Sequence, residues 1–261
     1  MPPISVVICC ANSEDTLPAA CQSVAWADEL IIVDSGSKDR TAEIARQYAH
    51  RYVLEPWRGH SGQKMFASGL CTHDWIFFLD GDEECTPQLA QEWKAISDSE
   101  AEKFDLFLIP RQNYVMGRLV RAWWPDHLTR IFHRKRCSWD GHVLHDTRQA
   151  SDPSRQRKFK GWIIHKRLSK AAFSDYFSGA RMDERLLPVA RQMYERGKRC
   201  HWWDLLIRPW LAFIKFYFIK RGFLDGVFGL LIAQKAALSA QLKYAALWAV
   251  QEEHKAGSKG K

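Results

Sequence analysis

Four times in its first 97 residues the chain runs through the same pattern: a short apolar run, a polar turn, then a segment of helical length. "ISVVICCA" (4–11) meets Asn12-Ser13-Glu14-Asp15 and a helix expected over 17–24. "ELIIVD" (29–34) meets "SGSKDR" and a helix over 41–48. "RYVLEP" (51–56) precedes a helix over 59–70, and "DWIFFLD" (74–80) precedes one over 87–97. Runs this short and this apolar fit strands buried on both faces, and strands alternating with helices build a parallel sheet covered by helices. Ligands of such sheets bind beyond the carboxyl ends of the strands. Asn12, Asp34 and Asp80 stand at three of those ends, so one rim of the sheet should carry polar groups from three strands.

Beyond a fifth strand at 104–111 the pattern loosens. Residues 121–146 mix aromatics, Arg and His and read as an irregular, substrate-facing segment; 152–161 reads as an exposed basic turn and 169–199 as helix. The 261 residues suit one large domain, or one domain with a substantial extension. "MPPISVVICCANSED" has no basic leader and no small-residue cleavage pattern, so it reads as a first strand rather than a signal peptide. Seven cysteines, none in a C-x-x-C pair, argue for a reducing cytosol and against a disulfide framework or a zinc site. Charge divides the chain. Residues 1–110 hold 8 Lys and Arg against 18 Asp and Glu, and residues 111–261 hold 30 against 12. A basic second half suits an anionic partner: nucleic acid, a membrane surface or a phosphorylated substrate. No nucleic-acid module accompanies it, which argues against nucleic acid.

The chemistry concentrates in "IFFLDGDEECTP" (76–87). Carboxylates are costly to bury unless paired or metal-bound, so this cluster belongs at the mouth of a cleft. Asp80 and Asp82 flank a glycine. On an extended chain they would point to one side, and such a pair suits a hard divalent cation that also takes substrate phosphates. An acidic surface turn is the plainer alternative. Asp34 could accept hydrogen bonds from a base or a ribose, or form an Asx-turn; Asn12 has the same two readings. Asp39, just before a helix, suits capping. Lys64, at a predicted helix start, could meet a diphosphate or simply be solvated.

"SVVICCANSED", "LIIVDSGSKDRT", "GQKMFA" and "WIFFLDGDEECTP" resemble, in order and spacing, the family 2 glycosyltransferases of GT-A fold. "IPRQNYVMGRLV", "WWPDHLTRIFHRK", "VLHD" and "YFIKRGFLDGVFGLLIA" extend the resemblance, over roughly 1–250, to the bacterial branch that adds a sugar to the lipopolysaccharide inner core. The resemblance implies an α/β, Rossmann-like, mixed and mainly parallel sheet flanked by helices, with a C-terminal amphipathic helical extension. It divides the chain into a sugar-nucleotide-binding part (1–111), an acceptor-binding part (112–168) and the extension (169–261). It implies a UDP-sugar donor, glucose as the sugar, inversion at the anomeric carbon and a phosphorylated lipid A-core acceptor. Asp34 would hold the nucleoside, with Asn12 and Lys64 also on the donor side. Asp80 would contact ribose or the metal, and Asp82 would bind Mg²⁺ or Mn²⁺. Inverting transfer needs a base beside the acceptor hydroxyl. The branch's His-Glu pair is His145-Asp146 here, which makes Asp146 the first choice, Asp126 of "WWPD" the rival, and His145 and His142 weaker candidates. Where the family usually has a second acid after strand two, this chain has Ser35.

Residues 201–233 are strongly apolar but are interrupted by Arg208, Pro209, Lys215, Lys220, Arg221 and Asp225, so no uninterrupted stretch there reaches bilayer length. Trp203, Leu206, Trp210, Phe213 and Tyr217 would share one helical face, with Arg208 and Lys215 on another. That arrangement suits a helix lying in the interface of the cytoplasmic membrane's inner face; packing on the protein itself is the alternative. Two competing functions remain: transfer to polyprenyl phosphate or another cell-surface glycan, and a non-catalytic membrane-binding scaffold.

Overall fold

The computed structural model describes residues 1–139, 148–150, 152–167 and 180–259. They fall into two compact units, Met1–Gly117 with Trp124–Arg167 and Arg118–Trp123 with Leu168–Lys261.

The first unit begins β1 (Ile4–Cys10), α1 (Leu17–Ser23), β2 (Glu29–Asp34), α2 (Thr41–Tyr48), β3 (Arg51–Leu54), α3 (Gly59–Gly69) and β4 (Trp75–Asp80), as the apolar runs require. Then come β5 (Glu83–Cys85), α4 (Pro87–Lys94), α5 (Asp98–Ala101) and β6 (Leu106–Val115). Arg118–Leu119, β7, belongs to the second unit; β8 (Asp126–His133), β9 (Cys137–Trp139), β10 (Arg148–Ala150), β11 (Gln156–Lys158) and β12 (Ile163–Arg167) return to the first. The main sheet runs β3-β2-β1-β4-β8-β6-β12-β5, with β11 beside β6. Its first four strands are parallel; β8 runs antiparallel to both β4 and β6.

Alternation along the strands builds a core on each face. Val6, Ile8, Ile32, Phe77 and Phe107 pack with Leu17, Leu89 and Trp93 from α1 and α4. Val7, Ile31, Ile76, Phe78 and Phe132 pack on the other face with Ala67 of α3. The cysteines are all free, and burial pushes the thiols of Cys21, Cys71 and Cys85 up to about 12. They pack as small hydrophobes and are not nucleophiles at neutral pH.

Two stretches differ from the sequence expectation. Residues 121–146, read as irregular, contain β8, a strand at the centre of the sheet. Its polar members disguise it, because Asp126 and Arg130 face partners at the sheet's carboxyl rim. The basic segment 152–161 contains β11. The expected division at 111/112 falls inside β6.

The second unit holds α6 (Ala180–Glu195), α7 (Trp202–Ile214) and α8 (Gly226–Lys259). Ala190, Cys200, Leu247 and Val250 form its small core. Gln251 accepts from the Cys200 amide and donates to its carbonyl, satisfying the backbone just before α7. Between α7 and α8 lie a π-helical turn, Lys215–Ile219, and a 3₁₀ turn, Gly222–Asp225. Of the face expected over 203–217, Trp203 lies on the regular helix with Leu206 and Trp210. Leu206 and Trp210 are exposed, whereas Phe213 and Tyr217 stack on each other, half-buried. Residues 222–256 form a helix long and apolar enough, by length and composition, to cross a membrane. The sequence reading took 201–233 with its interrupting charges; past Asp225, only Lys235 and Lys243 interrupt 226–250.

Candidate active site

The polar ends of β1, β2 and β4 meet as expected. Asp34 is fully buried at the end of β2. Its Oδ1 accepts from the Ser37 amide (3.0 Å) and hydroxyl (2.6 Å), and its Oδ2 accepts from the Tyr52 hydroxyl (3.0 Å). Asp34 thus shapes the turn that follows it. Asn12, with φ +50°, accepts the Lys38 amide on Oδ1 (2.9 Å) and donates its own amide to Ser37 Oγ (2.8 Å). Asp39 accepts from the Thr41 and Glu14 amides at 3.0 and 3.1 Å. The loops after β1 and β2 are therefore knitted into one surface.

β4 delivers Asp80 to the rim, and Gly81 turns the chain. A side chain at Gly81 would stand 2.9 Å from Cys10 Cβ and Ser13 Oγ, so only glycine lets this turn lie against the end of β1. Across the turn the two carboxylates meet different partners. Asp80 faces two cations, Lys64 Nζ at 3.2 Å and Arg130 Nη2 at 2.9 Å. Desolvation opposes its ionisation, but the charges of Arg130 and Lys64 override it and hold the carboxyl well below the usual range. Lys64 lies buried on α3, over the ring of Phe78. Asp82 instead faces His165 Nε2 at 3.2 Å.

Several residues that sequence reasoning missed complete the site. Glu83, fully buried, accepts from Arg130 Nη2 (2.6 Å), Arg111 Nη1 (2.9 Å) and the Asp80 amide (3.1 Å). Arg111 in turn holds Asp126 Oδ2 through Nη2 (2.7 Å) and Nε (3.2 Å). Strand register explains the gathering: Arg111 pairs with Asp126 across β6 and β8, and His165 on β12 pairs with Asn113 on one side and Glu83 on the other. Asp126 Oδ1 has no hydrogen-bond partner among the described residues, and its side chain is 35% exposed. Asp146, His145 and His142 lie outside the described residues.

No three His, Cys, Asp or Glu side chains converge as a metal cage among the described residues. Asp82 and His165 nonetheless fit a divalent ion as a two-point site. They supply one carboxylate and one imidazole nitrogen within 3.2 Å of each other, and an ion that works on phosphates leaves coordination positions for them. Asp80, with both oxygens on cations, fits an electrostatic and positioning role better than a ligand role.

An α/β sheet with polar groups at the carboxyl ends of its strands is built to take a ligand there, and comparison gives the family. The glycosyl transferase family 2 model matches residues 5–151. The chain belongs to glycosyl transferase family 2, and its mixed, mainly parallel sheet with flanking helices and a long C-terminal helix is the GT-A arrangement expected from the sequence. An uncharacterized glycosyltransferase of Rickettsia conorii is 30% identical over 87% of this chain and 83% of its own length. The lipopolysaccharide core biosynthesis glycosyltransferase LpsC of Rhizobium meliloti is 28% identical over 94% of this chain and 92% of its own. Among solved structures, S. aureus TarS aligns over 98% of this chain and 92% of its own with a TM-score of 0.47 and 15% identity.

Proposed function

We propose that this glycosyltransferase is inverting and metal-dependent, and moves a hexose, glucose in the leading reading, from a UDP-sugar to a lipopolysaccharide inner-core acceptor. The observation that carries the reading is the rim itself. A neutralised Asp80, an Asp82–His165 pair open to a cation and an Asp126 held by one oxygen surround the carboxyl end of β4. A Mg²⁺ or Mn²⁺ ion bound by Asp82 and His165 would neutralise charge developing on the departing diphosphate. Lys64 and Arg130 add positive charge beside it, and Asn12, Asp34 and the turn they shape form the nucleoside end of the groove. Asp126 takes the proton of the acceptor hydroxyl as that oxygen bonds to the anomeric carbon. The bond from that carbon to the diphosphate oxygen breaks, and UDP leaves with its electron pair. Asp146 is the alternative base. LpsC, similar over most of the chain, supports the core acceptor.

The enzyme sits peripherally on the inner face of the cytoplasmic membrane in this reading. Trp202, Trp203, Leu206, Ile207, Trp210, Leu211 and Ile214 are 42–70% exposed and occupy one contiguous arc of α7. An apolar arc of that kind, flanked by the Lys215, Lys220 and Arg221 cations, suits the lipid interface. Polyprenyl phosphate remains the second acceptor reading. Helix α8 favours it, as does partial similarity (29% identity over 49% of the chain) to an undecaprenyl-phosphate 4-deoxy-4-formamido-L-arabinose transferase of Pseudomonas paraeruginosa. The test is a panel of UDP-sugars offered with and without Mn²⁺ to purified protein, with truncated lipid A-core and polyprenyl phosphate acceptors and product analysis. Core product made only with metal supports the leading reading; polyprenyl product or metal-independent transfer overturns it.

A further inference from the structure

Asn113 stands at the junction between the two halves of this site. It is almost fully buried on β6, and its two amide atoms face different partners. Oδ1 lies 2.8 Å from His165 Nδ1, and Nδ2 donates to Asp126 Oδ2 at 3.4 Å. The orientation has a chemical reason. Asp126, ion-paired with Arg111, is a carboxylate and only accepts. The amide nitrogen must therefore face Asp126, which leaves the amide oxygen facing His165. An amide oxygen also only accepts, so the proton of the neutral imidazole must sit on Nδ1. Nε2 then carries a lone pair and faces the Asp82 carboxylate at 3.2 Å. Two electron-pair donors this close repel each other, unless a cation lies between them or the ring takes a second proton.

We infer that Asn113 is a positioning residue that fixes the His165 tautomer, so that Nε2 is a ready metal ligand, and through the same amide steadies the Asp126 carboxylate. The inference rests on the reading of Asp82 and His165 as the cation pair and of Asp126 as the base. An outer partner that sets the tautomer of a ligating histidine typically accounts for roughly 10–100-fold in metal affinity. In its absence the ring is free to place its proton on Nε2 and donate to Asp82, which removes the ligand.

Asn113→Leu keeps the heavy-atom count and branching and removes both hydrogen bonds. Two readouts apply besides activity. In metal-free protein, at a pH where the ring carries a single proton, ¹⁵N shifts of His165 should report that proton on Nδ1 in the wild type and its redistribution toward Nε2 in Asn113→Leu. In a Mn²⁺ titration followed by electron paramagnetic resonance, with and without UDP, Asn113→Leu should bind roughly 10–100-fold more weakly and His165→Ala at least as weakly. Near-UV circular dichroism checks the fold, and Asn113→Ser replaces the leucine variant should that fail to fold. If His165→Ala loses Mn²⁺ while the Asn113 variant binds it like the wild type with the proton still on Nδ1, the positioning role is overturned and the cation reading stands. If His165→Ala and Asp82→Asn both bind Mn²⁺ like the wild type, the cation reading falls, and the inference with it.

Discussion

At the scale of single residues, the site is a chain of charge pairs in which each member orients the next. Arg130 and Arg111 share the buried Glu83, and each also holds a rim carboxylate, Asp80 or Asp126. Asp126→Asn should preserve that shape and remove the proton acceptor. Loss of a general base costs roughly 10²–10⁴-fold in rate, so kcat should fall by that order with donor affinity intact. Steady-state kinetics of this variant beside Asp146→Asn decides between the two, and loss only in the latter moves the base to Asp146. Asp34→Ala should weaken UDP affinity more than kcat at saturating donor, as read by calorimetry. It should also lower stability by about 1–3 kcal/mol, because Ser37 and Tyr52 lose a buried acceptor. Asp80 adds a pH signature. Its carboxyl is held well below the usual range against the desolvation that opposes ionisation. The stability this contributes is complete above the unfolded-chain value of ~3.9 and is lost as pH falls from there toward the folded value. The difference in Tm between wild type and Asp80→Asn should stay level from pH 7 to 5 and shrink below about pH 4. A difference that shrinks already between pH 7 and 5 would contradict the pairing.

At the scale of elements, the sheet edge-to-edge order explains what the sequence could and could not reveal. β1, β2 and β4 are buried on both faces, so their apolar runs are unbroken and their terminal Asp34 and Asp80 stand out. β8 is as central as they are, yet its hydrophobic pattern is interrupted by Asp126 and Arg130, the residues the site needs there. His165 sits in "WIIHKR", where nothing local distinguishes it; only the long-range register of β12 against β6 and β5 brings it to Asp82. Asp80 and Asp82 meet different partners across the turn at Gly81, and along 203–217 Phe213 and Tyr217 stack half-buried while Leu206 and Trp210 stay exposed. Close packing between elements gives a further prediction. A Cβ at Gly161 would come within 2.3 Å of Leu89 Cα on α4, where backbone rather than a flexible side chain must give. Gly161→Ala should destabilise the first unit by about 1–3 kcal/mol or more, measured by chemical denaturation; wild-type stability would show that the loop before β12 can move away from α4.

At the scale of the whole molecule, the candidate rim draws Asp80, Asp82 and Glu83 from the acidic first 110 residues and Arg111, Asp126, Arg130 and His165 from the basic remainder, which also presents the arc of α7. Arg208 is paired with Asp204 at 2.9 Å, which reduces its contribution to any membrane attraction. In the membrane-surface reading proposed above, Lys215, Lys220 and Arg221 would carry that attraction instead, at ~1 kcal/mol each. Wild-type protein should bind anionic vesicles better than neutral ones, with a salt-resistant remainder from the apolar arc. The triple Gln variant of those three should lose the anionic preference, and Arg208→Gln should lose much less. Equal partitioning of the wild type onto anionic and neutral vesicles would remove the electrostatic part. The central claim, that sugar-nucleotide chemistry occurs at the Asp80–Asp82 rim with a metal, is tested most directly by UDP release from the best donor in the presence of Mn²⁺. Wild type should release UDP and stop on chelation, and Asp82→Asn, folded by circular dichroism, should release none above background. Turnover by Asp82→Asn at the wild-type rate, or wild-type turnover undiminished by chelator, would contradict it.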